Sequence, residues 1–180
     1  MIMIMSDAIL DLLAPLSPRP CRYRAAAAVF RLGDEVRTVH FVQSGLIHLV
    51  RHRPDGMKLI LQRARAGAIL AEASVFAASY HCDGVAITDA ETLSVPGAAL
   101  RQRIIADGRF AEAWARHLGR EVQRARLQAE ILALRTVAAR LDAWLGWHGA
   151  LPSKGEWVGL AAEIGVSPEA LYRELARRRA

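Results

Sequence analysis

The spacing of the apolar residues changes once along this chain, near residue 107, and that change restricts the fold more than any other feature. Between about 25 and 100 the apolar segments are short and rich in β-branched residues: AAAAVF, VHFV, LIHLVRH, MKLILQRA, GVAIT and TLSVP. LGDE, QSG, RPDGM and RAGA separate them, which is the pattern of strands joined by tight turns. Pro54-Asp55-Gly56 predicts a hairpin joining LIHLVRHR to MKLILQRA. Many short strands at this spacing imply a small antiparallel barrel or jelly roll, whose closure removes exposed edges.

After 107 the period is helical. ADGRFAEAWARHLGREVQRARLQAEILALRTVAARLDAWLGWHG contains no proline and predicts a long helix over 107–148. Leu118, Val122, Ala125, Ala129 and Leu132 follow one another in steps of four and three, the heptad spacing of a coiled-coil dimer. A second stripe, Leu127, Ile131 and Leu134, is placed to pack on the roll or on the next domain. The competing reading is a single amphipathic helix packed within a monomer. Gly149 and Pro152 end the helical pattern. Beyond them, EWVGLAAEIG reads as one helix ending at Gly165, and SPEALYRELARRRA as another. Ser167 is placed to cap the second, with Pro168 at its first position and Glu169 and Glu174 following. Two helices joined by a Gly-Val turn make a helix-turn-helix. The expected architecture is α+β: a β-roll sensor domain with a short N-terminal helix over 1–106, a dimerisation helix over 107–148, and a helix-turn-helix over 149–180.

Charge suggests a partner. The formal net charge is +6 and the sequence pI about 10.1. Arg173 to Ala180 holds four arginines against one glutamate. Such an end suits a polyanion such as nucleic acid, although solvated basic tails are common. No apolar run approaches the roughly 18 to 20 residues of a membrane span, so no membrane partner is expected. The N-terminal MIMIMSDAILDLLAPLSPRP lacks a basic leader and an A-x-A cleavage pattern. Cys21 and Cys82 stand far apart and make no disulfide framework. Together these features predict a cytoplasmic protein.

A β-roll, a long dimer helix and a terminal helix-turn-helix, in that order, resemble the cyclic-AMP receptor protein (Crp/Fnr) family of bacterial transcription regulators. The resemblance runs from about 20 to 180 and is carried by LGDEVRTVHFVQSGLIHLVRHRPDGMKLIL, GAILAEASVF and GLAAEIGVSPEALYREL. It implies a homodimer on double-stranded DNA with a pseudo-palindromic operator, and contacts with RNA polymerase. The family commonly shows Arg-Glu-Thr-Val-x-Arg after a serine; here Ser167 is followed by Pro168, Glu169, Ala170, Leu171, Tyr172 and Arg173. By that match Glu169 would accept from cytosine N4 and Arg173 would fork onto guanine. Ser167 and Arg177 would contact phosphates, and Tyr172 lies on the same helix. Pro168 replaces the family's first arginine. Family members continue into a β-wing, whereas this sequence ends at Arg177-Arg178-Arg179-Ala180, so the expected helix-turn-helix lacks the usual wing.

The resemblance also frames AEASVFAASYHCDGVA, residues 71–86. The family's phosphate cassette has a glutamate after a glycine, and an arginine about ten residues later that pairs with the cyclic phosphate. Glu72 stands at the glutamate position, Ala71 replaces the glycine, and Cys82 with Asp83 occupies the place of the arginine. A thiol cannot pair with a phosphate as a guanidinium does, so cyclic AMP is not expected in the usual mode. The candidate effector pocket is Glu72, Ala73, Ser74, Cys82 and Asp83. His81 and Cys82 together offer copper or zinc ligation, or a redox-active thiol. Against this, adjacent strand residues point to opposite faces and no zinc-type spacing is present. His40, His48 and His52 are the imidazoles available to complete such a set. The bland alternative is a buried structural cysteine beside a hydrogen-bonded histidine. Two cysteines cannot hold an iron–sulfur cluster. No nucleophile–base pair or phosphate-binding loop stands out, so no catalytic residues are assigned and the protein is not read as an enzyme. The runner-up to a DNA-binding regulator is a ligand- or metal-binding module that has lost DNA readout and acts through protein contacts.

Overall fold

The computed structural model describes residues 14–52 and 58–179. The expected N-terminal helix and the Pro54-Asp55-Gly56 turn lie outside the described residues. Eight strands come first: β1 Arg19–Tyr23, β2 Ala28–Phe30, β3 Thr38–Ser44, β4 Ile47–His52, β5 Lys58–Ala64, β6 Ile69–Leu70, β7 Asp83–Ala86 and β8 Ala90–Pro96. Among the described residues five α-helices follow: α1 Gly97–Ala106, α2 Gly108–Ala133, α3 Val137–His148, α4 Trp157–Glu163 and α5 Pro168–Arg177. The strands form two four-stranded sheets, in the orders β1-β8-β3-β6 and β2-β7-β4-β5, and their pairings are antiparallel. His52 pairs with Lys58 across β4 and β5.

Strand β3 shows why this half lacks a simple alternation. Val39 and Phe41 face one apolar cluster, with Leu100, Phe110 and Trp114 of the helices that follow the sheet. Val42 belongs to a second cluster, with Phe30, Tyr80 and Cys82 inside the roll. Both faces of β3 are therefore covered, and His40, on the Val42 side, is buried as well. Strands β1 and β6 are additions to the expectation. Arg19–Tyr23 carries a proline and two arginines, tolerated because β1 pairs only along β8 at a sheet edge. Ile69–Leu70 is too short for any periodicity to register.

The single helix expected over 107–148 is interrupted once, at 134–136, and a further helix precedes it. Helix α1 already begins at Gly97 and stops at Asp107, which is extended (φ −120°, ψ 103°). The Asp107 carboxylate accepts from the Phe110 and Arg109 amides at 3.1 and 3.0 Å, restarting the chain as α2. The interruption is Leu134–Thr136, where Thr136 is extended and its hydroxyl accepts from Ala139 N at 3.1 Å to start α3. A threonine in mid-pattern carries no periodicity signal that would mark such a break.

The chain divides into two compact units after Leu118. In the second, α3, α4 and α5 enclose a core that includes Leu141, Trp144, Trp157, Leu160, Leu171 and Leu175. Ile131 is buried there and Leu127 packs beside it, so two members of the second stripe serve the helical unit. Among the described residues, no helix is long and apolar enough to cross a membrane.

Candidate ligand cassette and nucleic-acid interface

Glu72–Ser74 forms a 3-10 turn entered through Ala71 at φ 57°, ψ 34°. That is left-handed backbone, which glycine adopts freely and an L-residue adopts at a cost. Ala71 therefore holds, without being a glycine, a backbone conformation that favours one. Within it Glu72 is half-buried, Ala73 exposed and Ser74 buried. The Ser74 hydroxyl lies 3.1 Å from His81 Nδ1, and the His81 carbonyl accepts from Arg51 Nη2 and Nε at 2.6 and 3.2 Å. This hydroxyl–imidazole pair has no signal in the sequence. Its serine is shut away from solvent, and the pair braces the turn against β7.

His81 and Cys82 lie in a bend just ahead of β7 and differ in burial. The imidazole is exposed, whereas Cys82 is 0% exposed in the roll interior. Burial pushes the Cys82 thiol up; Arg51 opposes this and the carboxylates of Asp83 and Glu72 add to it. A thiol held protonated is a poor nucleophile and a poor ligand. Asp83 Oδ1 accepts from the Leu32 amide at 2.8 Å, and Oδ2 lies 3.5 Å from His52 Nδ1. His40 is buried in the roll interior, and His48 is buried as well. Among the described residues, no three His, Cys, Asp or Glu side chains gather as a metal site.

The interior of the roll is filled by its own rings. Phe30 stacks on Tyr80 with centroids 4.0 Å apart and planes at 13°. His40 lies on the Phe30 stack at 6.2 Å, and Tyr23 meets His40 edge-on at 6.2 Å. The Phe30 ring covers Gly84 so closely that a Cβ there would fall 2.9 Å from it. The Tyr80 hydroxyl donates to the Thr38 carbonyl. Burial pushes the Tyr23 phenol up to about 12 and the His40 imidazole down to about 4, as expected where charge cannot be solvated.

The candidate nucleic-acid residues lie on α5. Ser167 caps it, its hydroxyl accepting from Ala170 N at 3.2 Å. The Glu169 carboxyl is held below its usual range by its own backbone N–H and the Ser167 hydroxyl, so it already supports the helix start. Tyr172 is exposed but rests on Trp157, centroids 5.7 Å apart. Arg173 is exposed and lines a shallow hollow with Val137, Ala170, Glu174 and Arg177. Arg177 is engaged within the helix, its guanidinium 2.9 and 3.0 Å from the Glu174 oxygens. Sequence reading missed the group that orders this end. Arg178 donates to Glu174 at 2.7 Å, to Asp142 at 2.6 Å and to the Ala138 carbonyl at 3.1 Å, fastening α5 to α3. The two guanidiniums bring the Glu174 carboxyl down to about 2.

Along α2 the expected seam is open in the middle. Val122 is 48% exposed, and Ala125 and Ala129 are exposed as well. Leu118 is half-buried against the core of the first unit. Leu132 is 45% exposed, yet its Cδ2 would lie 2.4 Å from a Cβ at Gly165. It therefore has a neighbour within its own unit.

The fold defines the class first. Residues 20–107 match the cyclic nucleotide-binding domain family, which agrees with the two antiparallel sheets and the turn at Glu72. The whole architecture, a jelly-roll-like domain of this kind followed by helices, recurs in solved structures. FixK2 from Bradyrhizobium japonicum superposes with a TM-score of 0.70 at 17% identity, covering 89% of this chain and 83% of that one. CLP from Xanthomonas campestris, a c-di-GMP responsive global regulator, gives 0.66 at 20% over 96% and 91%. A transcriptional regulator of the CRP family from Thermus thermophilus gives 0.61 at 21% over 88% and 84%. At these identities the likeness establishes the α+β fold. No curated protein matches the sequence.

Proposed function

We propose that this chain is a homodimeric, sequence-specific DNA-binding transcriptional regulator that is not gated by cyclic AMP. The observation that carries the DNA reading is α5: a serine-capped helix behind a tight turn, with Arg173 exposed on its second turn and an arginine-rich end. A helix of this kind enters a major groove and reads bases from its first turns. Arg173 is the base-reading side chain and Ser167 a phosphate contact. Arg178 fastens α5 to α3 through Asp142 and the Ala138 carbonyl, and Arg177 pairs with Glu174 within α5. The exposed Val122, Ala125 and Ala129 strip is the face for a second copy.

The filled roll supports the second half of the proposal. Phe30 and Tyr80 occupy the interior beside Cys82 and Gly84, and no arginine stands at residue 82 to meet a cyclic phosphate. A metal or redox role for His81 and Cys82 draws no support from a protonated, inward-facing thiol and an outward-facing imidazole.

Selection on genomic DNA fragments at about 150 mM salt, followed by anisotropy titration, tests this reading. The wild type should enrich a pseudo-palindrome. Arg173→Ala should weaken it about 10- to 100-fold, the 1–3 kcal/mol of a bidentate base contact. A wild type with no sequence preference refutes the proposal and leaves a binding module acting through protein contacts.

A further inference from the structure

One guanidinium in the helical unit bonds only to backbone. Arg140, on the first turn of α3, donates from Nε to the Leu134 carbonyl at 2.8 Å and from Nη2 to the Leu132 carbonyl at 3.1 Å. Its Nη1 donates to the Ile164 carbonyl at 3.1 Å and to the Gly165 carbonyl at 2.8 Å. The first two acceptors are at the frayed C-terminal end of α2, where the helix leaves carbonyls without partners. The last two are in the turn that launches α5. Arg140 thus joins the break after α2 to the turn before α5, and only a planar fork with five donors can do this from one side chain.

Two further contacts follow the same line. Gln128 of α2 donates to the Glu163 carbonyl at the end of α4. Leu132 lies over Gly165, which has no Cβ to strike it and whose φ of 65° also favours glycine. The turn is therefore registered on the end of α2 at three points: by a side-chain amide, a methyl group and a guanidinium. The guanidinium is the member that also touches the break itself.

We infer that Arg140 is a positioning residue that sets the pose of α5 from the end of α2. A rotation of the last turn of α2 must either carry the Ile164–Gly165 turn with it or break these bonds. The position of the reading helix is thus coupled to α2, with Arg140 the side chain that bonds both the break and the turn. This rests on the DNA-reading role proposed for α5, but its structural half stands separately.

The test compares wild type with Arg140→Lys, which keeps the charge but cannot fork, and with Leu141→Ala, a core lesion that removes none of these hydrogen bonds. Amide exchange is read at Ile164, Gly165 and Val166, whose N–H groups close the end of α4 on Leu160, Ala162 and Ala161. Operator affinity is read well below the melting temperature. Arg140→Lys should speed exchange at these amides at least tenfold beyond any global change and weaken operator binding tenfold or more. Leu141→Ala should lower the melting temperature and leave both unchanged in the folded fraction. Millimolar methylguanidinium should restore part of the protection to Arg140→Ala. If exchange responds while the wild type itself has no operator, the coupling stands and the DNA reading falls. Unchanged exchange at the turn in Arg140→Lys overturns the inference.

Discussion

Acidification from about pH 6.5 should destabilise the first unit through His40. Its ring is 4% exposed, with Nε2 3.1 Å from the Thr38 hydroxyl and Nδ1 3.3 Å from the Thr92 hydroxyl. Tyr23 and Phe30 cover it, and no carboxylate is among these neighbours to stabilise an imidazolium. Burial therefore lowers the pKa from 6.5 to about 4. The unfolded chain binds the proton first, so the contribution is complete above about pH 6.5. It is lost as the pH falls from there to about 4, where the native state protonates too. At 1.36 kcal/mol per unit the full loss is about 3 kcal/mol, a large share of the roughly 5–15 kcal/mol that holds a domain together. Urea unfolding of wild type and His40→Gln from pH 7.5 to 4.5 measures it, the variant removing this slope and no other. Glu174, held at about 2, loses its contribution only as the pH falls through the carboxylate range, and does so equally in both proteins. Equal pH slopes in the two proteins, or a His40 ring that titrates at its ordinary value by NMR, would refute the reasoning.

Two further predictions concern the roll and the turn. Phe30→Ala should cost about 3–5 kcal/mol and open space beside Gly84 and Tyr80 for a small planar ligand. Wild-type protein should give no calorimetric signal with millimolar cyclic AMP, and micromolar binding would contradict a self-filled interior. Gly149 and Gly165 both have positive φ, at 81° and 65°. A Cβ at Gly149 meets nothing within 4 Å, whereas one at Gly165 strikes Leu132. Gly149→Ala should lose about 1 kcal/mol for the backbone alone. Gly165→Ala should lose about 1–3 kcal/mol more in chemical denaturation, an excess that Leu132→Ala abolishes. Equal losses at the two glycines would show that Leu132 does not register the turn.

The sequence by itself determined the parts that depend on neighbours along the chain. The short apolar segments between about 25 and 100 became six of the eight strands. Ser167 and Pro168 marked the start of α5 because a cap needs only a hydroxyl within three residues of the amide it satisfies. That residue 82 is a cysteine, unable to pair with a phosphate as a guanidinium does, could likewise be read directly, since it is a question of side-chain chemistry at one position. Tertiary structure decided the rest. Strand β1 exists because β8 offers it an edge, and the break at Leu134–Thr136 is held by Arg140, whose other partners lie 24 and 25 residues further on. Arg177 reads in the sequence like a free basic residue, yet Glu174 takes up its donors. Phe30 fills the roll only because Gly84, distant in sequence, leaves room for a ring. Each of these, apart from the local Arg177 pair, depends on a contact between residues remote in the chain, and local periodicity carries no record of such contacts.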